Sequence, residues 1–363
     1  MSSEAAISTA AFGACPVPRP ETERIVLAHG SGGLLTAQLI EEMILPAFRN
    51  PALELLDDQA ILPLDEREAS GERLAFTTDS YVVTPLFFPG GDIGELAVNG
   101  TVNDLAMGGA RPLALSLAFI LEEGLSLKEL GLVIDSARRA AARAGVPIVT
   151  GDTKVVGRGS GDKIFINTSG IGRVPRGVHL SSAQISPGDA ILLSGTVGDH
   201  GATILAEREA LTLSGALRSD TAALHVLAAE ILRAAPGTHA MRDPTRGGLG
   251  AVLVEIASRR RLALEVDERA VPVREAVRGA CELYGLDPLL LANEGKLVAF
   301  VPEAEAAEAL VAMRAHPLGR DAARIGQVGA FAGDDAGLVT LRTPLGGRRI
   351  LDLPYAEPLP RIC

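Results

Sequence analysis

From about residue 74 onward, short apolar runs with strand character alternate with segments of helical periodicity, and glycine or proline stands at most junctions. That alternation confines the chain to a mixed α/β (α+β) fold class. Leu74–Val83 reads as a strand and Pro89-Gly90-Gly91 as a turn. Asp92 and Glu95 have the spacing of an N-cap with its reciprocal partner, opening a helix that runs to Met107 and stops at Gly108-Gly109. Pro112–Leu121 is a strongly apolar strand, and Ser126 with Glu129 opens an Ala/Arg-rich helix to Ala144. Val146–Thr150 and Lys163–Gly172 are further strands, and the turn-rich stretch from Val174 to Asp189 bridges to a second set of elements. That set comprises a strand Ala190–Gly195, a helix from about Asp199, helices around 220–235 and 247–260, strands near 262–267 and 296–301, a helix 303–315 and two late strands. The domain reading is an extension (1–23), an N-terminal domain (24–178), a C-terminal α/β domain (179–350) and a tail (351–363).

Several function classes are excluded by composition. Hydrophobic residues make up 47% of the 363, yet no apolar run is long enough to span a bilayer. Residues 1–23 are small, polar and proline-rich and lack the basic start and apolar run of a secretory signal, so they read as a disordered extension. Three widely spaced cysteines point to a reducing cytoplasm rather than a disulfide framework. A net charge of −11 argues against nucleic-acid binding, as does an aromatic supply of three Tyr, nine Phe and no Trp.

Neither a P-loop signature nor a GxGxxG between strand and helix occurs, and no CxxC or HExxH supports a zinc site. What recurs is an acidic residue at a segment end beside Gly, Asn, Thr or Ser. The instances are Asp57-Asp58, Thr78-Asp79-Ser80, Asn103-Asp104, Gly151-Asp152-Thr153-Lys154, Gly198-Asp199-His200-Gly201, Asp243-Pro244-Thr245-Arg246-Gly247-Gly248 and Asn293-Glu294-Gly295-Lys296. Singly, each reads as a turn or helix cap. Together they supply hard oxygen ligands for Mg²⁺ and glycine and hydroxyl neighbours that let backbone N–H groups approach phosphate. Asn99 and Asn103 share one helix face with Asp104 adjacent, and amides among apolar neighbours mark the border of a site. His29-Gly30-Ser31-Gly32-Gly33 fits either an anion-holding nest or a plain turn. Lys154 and Lys296 are the cations best placed by motif to meet phosphate, and Cys15 and Cys281 read as an extension thiol and a small helix-core residue.

The last residue, Cys363, follows Pro358-Leu359-Pro360-Arg361-Ile362, too proline-rich for a helix or a central strand. Fully extended, the segment from Leu351 would reach up to ~40 Å. A thiol so placed either is simply where translation stopped or is suited to being carried to a partner, modified and brought back.

These residues resemble those of the HypE family, the carbamoyl dehydratases of NiFe-hydrogenase maturation, in the superfamily of aminoimidazole ribonucleotide synthetase and selenophosphate synthetase. The match runs through Leu27-Ala28-His29-Gly30-Ser31-Gly32-Gly33, Thr77-Thr78-Asp79-Ser80-Tyr81, Pro85-Leu86-Phe87-Phe88-Pro89-Gly90-Gly91 and Gly151-Asp152-Thr153-Lys154-Val155-Val156. It continues through Gly198-Asp199-His200-Gly201, Arg242 to Gly248, Ala292 to Lys296 and the terminal Pro360-Arg361-Ile362-Cys363; residues 1–23 depart from the family's usual start. The resemblance implies a two-domain PurM-like fold, a homodimer closing a β-barrel across its N-terminal domains, and ATP and Mg²⁺ as cofactors. It implies a mobile tail whose Cys363 is carbamoylated by the carbamoyltransferase HypF and dehydrated at an ATP site to a thiocyanate. The cyano group then passes to the iron of a HypC–HypD scaffold.

Residue by residue, the resemblance assigns Cys363, Glu294 and Lys154 to catalysis, with Glu294 or a metal-bound water beside it as general base. Gly32, Gly33, Asp79, Asn99, Asn103, Gly151, Asp152, Thr153 and Thr245 are assigned to nucleotide binding, and Asp58, Asp79, Asp104 and Asp243 to metal. Two other classes stay open: a small-molecule biosynthetic enzyme of the same superfamily, which needs no terminal thiol, and a non-enzymatic thiol carrier.

Overall fold

The computed structural model describes residues 24–30, 32–63, 73–209, 217–329, 337–353, 359 and 361–363. The expected extension, with Cys15, and Ser31 of the glycine-rich loop lie outside them.

The N-terminal half is built on a six-stranded mixed sheet in the spatial order Ala60–Pro63, Arg73–Tyr81, Ile164–Val174, Arg111–Glu122 and Ile148–Thr150, with Thr153–Val156 also pairing to Arg111–Glu122. The long central strands are antiparallel, with Phe76 opposite Ile171 and Thr78 opposite Ser169. Strand Arg73–Tyr81 buries Ala75 and Thr77 and exposes Phe76 and Thr78, so the sheet covers a core on one face only.

Helix Ile93–Met107 lies on the covered face and is buried along nearly its whole length. A helix apolar all round must be enclosed on every side. Here the enclosing elements are the sheet, helix Leu127–Ala144 and helix His225–Ala234 of the second domain. Asp92 caps it, its carboxylate accepting from the N–H groups of Gly94 at 2.8 Å and Glu95 at 3.2 Å, a contact worth about 1 kcal/mol. The expected reciprocal cap does not form, because Glu95 reaches across to Arg143. Likewise Ser126 caps Leu127–Ala144 through Lys128 N–H while Glu129 pairs with Lys163. In both helices a tertiary cation outcompetes the local backbone donor.

The second half is a seven-stranded sheet ordered Ala240–Arg242, Val298–Val301, Ala190–Leu193, Ala323–Gly329, Ala263–Asp267, Val339–Arg342 and Arg348–Leu351. Strands Ala190–Leu193 and Val298–Val301 are buried at every position, which requires layers on both faces. Ile191, Leu193, Val298 and Phe300 pack toward helix Gly248–Arg260, while Ala190, Leu192, Ala299 and Val301 pack toward helices His225–Ala234 and Ala306–Ala315. Among the described residues the late part of the chain holds three strands rather than two, and the short Ala240–Arg242 escapes a periodicity reading altogether. Among the described residues, no helix is long and apolar enough to cross a membrane.

The two halves meet over a shared apolar cluster that joins Tyr81, Phe88, Ile93 and Leu96 to Ile204, Leu205 and Leu291. The last residues of the chain belong to that cluster: Leu359 is 6% and Ile362 1% exposed. The tail therefore ends in the seam between the domains.

Candidate active site

Five carboxylates gather where the domains meet. Asp58 precedes the first strand, Asp79 lies near the end of Arg73–Tyr81, and Asp104 is on the buried helix. Asp243 and Glu294 come from the second domain, each just past or before a strand of its sheet. Asp79, Asp104, Asp243 and Glu294 line one cavity of about 60 Å³ together with Ser80, Tyr81, Gly100, Thr245, Arg246 and Cys363. That volume holds roughly two waters, far less than a nucleotide-sized pocket.

Burial dominates the electrostatics. It raises the Asp79 carboxyl, against hydrogen bonds from Thr101 at 3.1 Å and Tyr81 at 3.3 Å. Asp104, which accepts from Thr77 at 2.7 Å, is driven well above the usual carboxylate range by burial and then by Asp79, Asp243 and Asp58. Asp243 is pushed well up by burial and by Asp58, and Glu294 by burial and by Asp243 and Asp220. Asp58, though ion-paired with Arg242 at 2.6 Å, is lifted by burial to about 6. Among the described residues, Asp58 Oδ2, Asp243 Oδ2 and Glu294 Oε1 are buried with no hydrogen-bond partner. Unpartnered carboxylate oxygens inside a protein need a cation or a proton.

In donor type this set fits a hard divalent ion. Its orphan oxygens carry that fit; no three His, Cys, Asp or Glu side chains among the described residues already converge as a cage.

The expected nucleotide-binding residues divide. Thr245 lines the cavity. Gly32 has a φ of +84° and lies against Arg246, where an added Cβ would sit 2.9 Å from the Arg246 Cβ, so only glycine fits the turn and the approach. Gly33 follows as the N-cap of helix Leu34–Leu39. Asn99 and Asn103 bond the second domain: Asn99 donates to Thr221 Oγ1 at 3.2 Å, and Asn103 donates to Ala222 O at 3.0 Å and accepts from Leu224 N–H at 2.7 Å. The amide face read from their spacing is a domain seam adjoining the site. Gly151, Asp152, Thr153 and Lys154 are exposed outside the cavity, with Lys154 Nζ held by Asp152 at 2.6 Å.

Sequence reasoning missed Asp220. Its side chain is buried, accepts from the N–H groups of Glu294 at 3.1 Å and Gly295 at 3.3 Å, and pairs with Lys296 at 2.9 Å. Burial would raise its carboxyl, but the Lys296 charge and these hydrogen bonds win and hold it below the ordinary value. Lys296 is thus committed to Asp220. Gly295 is obligatory here, since an added Cβ would fall 1.8 Å from Asp220 O. The signal was present, because Ser219-Asp220-Thr221 repeats the hydroxyl-flanked acid of Thr78-Asp79-Ser80.

The tail enters as a short antiparallel addition to the segment after Tyr81. Val82 N–H donates to Cys363 O at 2.9 Å and Thr84 N–H to Arg361 O at 3.4 Å. Arg361 donates to Val82 O at 3.1 Å and Thr84 Oγ1 at 2.8 Å and pairs with Asp162. This delivers the half-buried Cys363 to the carboxylates.

Comparison with known proteins agrees with this architecture. The family models described as AIR synthase related protein, N-terminal domain and C-terminal domain match residues 56–174 and 186–336. The carbamoyl dehydratase HypE of Azotobacter vinelandii is 53% identical over 339 residues, covering 93% of this chain and 97% of the relative. A crystal structure of the hydrogenase maturation protein HypE in complex with ATP is 49% identical with a TM-score of 0.78, covering 94% of this chain and 100% of that one. That of a HypE–HypF complex is 46% identical with a TM-score of 0.80, covering 87% and 99%. With the two domain models matched in order and half of all positions identical over nearly the full length, the chain belongs to the HypE family of carbamoyl dehydratases, hydrogenase maturation proteins of PurM-like fold.

Proposed function

We propose that this protein uses ATP to dehydrate a carbamoyl group carried on its own Cys363, giving a thiocyanate. The observation that carries this reading is the terminal thiol lining the same cavity as Glu294, Asp79, Asp104 and Asp243. A HypF carbamoyltransferase loads the cysteine while the tail is out, and the tail then returns to the seam. The cyano carbon leaves Cys363 for the iron of a HypC–HypD scaffold, which is the cargo's acceptor.

An amide oxygen is a poor leaving group, and a phosphate is a good one. The carbamoyl oxygen attacks the γ-phosphorus of ATP, a P–O bond to ADP breaks, and the nitrogen gives up a proton, leaving an O-phosphorylated thioimidate. Breaking its C–O bond releases phosphate, and loss of the second N–H proton completes the C≡N bond. Phosphoryl transfer asks mainly for positioning and charge neutralisation. Asp58, Asp79, Asp104 and Asp243 would hold Mg²⁺, which when bound neutralises phosphate charge. Gly32, Gly33 and Thr245 would border the phosphates of a bound nucleotide, and Glu294, with a carboxylate of raised basicity and an Oε1 without a partner among the described residues, takes the proton.

Lys154, Asp152, Thr153 and Gly151 would reach a phosphate across a homodimer interface in this scheme. The N-terminal sheet supports such a pairing by leaving Phe76, Ile171, Val149 and Val155 exposed, an apolar surface that water disfavours. Val155→Lys is expected to convert the dimer to monomer by sedimentation analysis; a wild-type protein that is monomeric at all concentrations removes the pairing.

The decisive experiment is intact-mass analysis after incubation with HypF, carbamoyl phosphate, Mg²⁺ and ATP. A carbamoyl adduct on Cys363 followed by loss of one water is expected, and Cys363→Ala should carry neither. An adduct that forms and never loses water would make the chain a carrier. Full physiological activity of Cys363→Ala would point to a free small-molecule substrate.

A further inference from the structure

His200 is the second residue of helix Asp199–Arg208 and is fully buried, yet none of the steps above uses it. Its two ring nitrogens are both engaged. Nε2 lies 2.8 Å from the carbonyl oxygen of Ile362, and Nδ1 lies 2.8 Å from Ser219 Oγ. A carbonyl only accepts, so Nε2 carries the proton, and Nδ1 accepts from the Ser219 hydroxyl. Burial favours this neutral form, and the Phe88 ring meets the imidazole edge-on at 5.4 Å.

Two structural routes leave this imidazole. One runs through Ile362 to Cys363, one peptide away. The other runs through Ser219, whose hydroxyl also accepts from Thr221 N–H at 3.2 Å, to the neighbouring Asp220, whose carboxylate holds the backbone of Glu294 and Gly295. The Arg361–Asp162 pair, another side-chain anchor of the described tail residues, is more solvated, its side chains being 32% and 42% exposed. A hydrogen bond inside a dry seam fixes geometry better than a screened surface pair.

We propose that His200 is a positioning residue for the dehydration step, seating Cys363 through the Ile362 carbonyl and registering it to Glu294 through Ser219 and Asp220. The inference rests on the reading of Cys363 as the site of dehydration. Loading takes place with the tail out, so His200 acts after it. A near-attack geometry is sensitive to displacements on the order of 1 Å.

The test uses the full-length protein with HypF, carbamoyl phosphate, Mg²⁺ and ATP, following carbamoylated and dehydrated Cys363 by intact mass over time. His200→Gln keeps an N–H donor at the reach of Nε2, whereas His200→Asn is too short to meet Ile362. The Asn variant should load normally but accumulate the carbamoyl adduct, dehydrating about tenfold more slowly, as expected for loss of one buried hydrogen bond. The Gln variant should stay within about threefold of wild type, a rescue that a merely space-filling role would not give. Should neither buried variant fold well enough to be loaded, Ser219→Ala carries the test and is expected to accumulate the same adduct. Equal dehydration by wild type and His200→Asn, equal slowing of the Asn and Gln variants, or wild-type dehydration by Ser219→Ala overturns the role. Failure of the wild type itself to lose water would instead overturn the proposed function.

Discussion

Glu294→Gln is expected to slow dehydration of carbamoylated Cys363 by about 10²–10⁴-fold, the usual contribution of a positioned general base, while leaving carbamoyl loading untouched. Gln is isosteric, so the backbone bonds to Asp220 and Asn103 survive and the site keeps its shape. What disappears is the unpartnered, strongly basic oxygen. The sign with pH follows from that shift. Only the unprotonated carboxylate accepts a proton, so the wild-type rate should climb as pH rises through the elevated Glu294 pKa, and the variant's residual rate should lack that limb. Unchanged dehydration in the variant, measured by mass or by phosphate release, would remove Glu294 from the chemistry.

Asp243→Asn should pull stability and function in opposite directions. In the metal-free protein Asp243 Oδ2 is buried without a partner and sits in the field of Asp58 and Asp79. An unsatisfied buried group costs about 1–3 kcal/mol, so replacing it with a neutral amide able to donate to a neighbouring carboxylate should raise the metal-free Tm by several degrees, about 2–4 °C per kcal/mol.

The cluster also sets a pH dependence. A carboxyl whose folded pKa is raised contributes stability below its unfolded pKa of about 4 and loses it as pH rises through the folded value. For Asp58 that value is about 6. The metal-free wild type should therefore lose Tm between about pH 4 and pH 6 and beyond, less steeply in Asp243→Asn. Added Mg²⁺ should restore the wild-type Tm and do little for the variant, whose ATP-dependent turnover should be lost. A variant that is less stable without metal, or equally responsive to Mg²⁺, would show that Asp243 is not part of a metal site.

Much of the fold was legible because its signals are local. Asp92 and Ser126 cap their helices as their sequence context demands, and the buried strands Ala190–Leu193 and Val298–Val301 announce themselves as uninterrupted apolar runs. Glu95 and Glu129 departed from the capping pattern because Arg143 and Lys163 arrive from elsewhere in the chain, and no local rule contains them. The same limit explains the asparagines. Spacing placed Asn99 and Asn103 on one polar face of a buried helix, but only the fold shows that face meeting Thr221, Ala222 and Leu224. Asp220 was overlooked because it lies far in sequence from the Glu294 loop that gives it meaning.

The sequence by itself determined the α/β class, the acid-and-glycine motifs and the cysteine at the last position, since each depends on residue type and short spacing. Only the tertiary structure decided which acids share a desolvated space, that Lys296 is committed to Asp220, and that Ile362 and Cys363 return to the domain seam. Burial and long-range pairing set charge, basicity and position, and both arise only when distant segments close around the same volume.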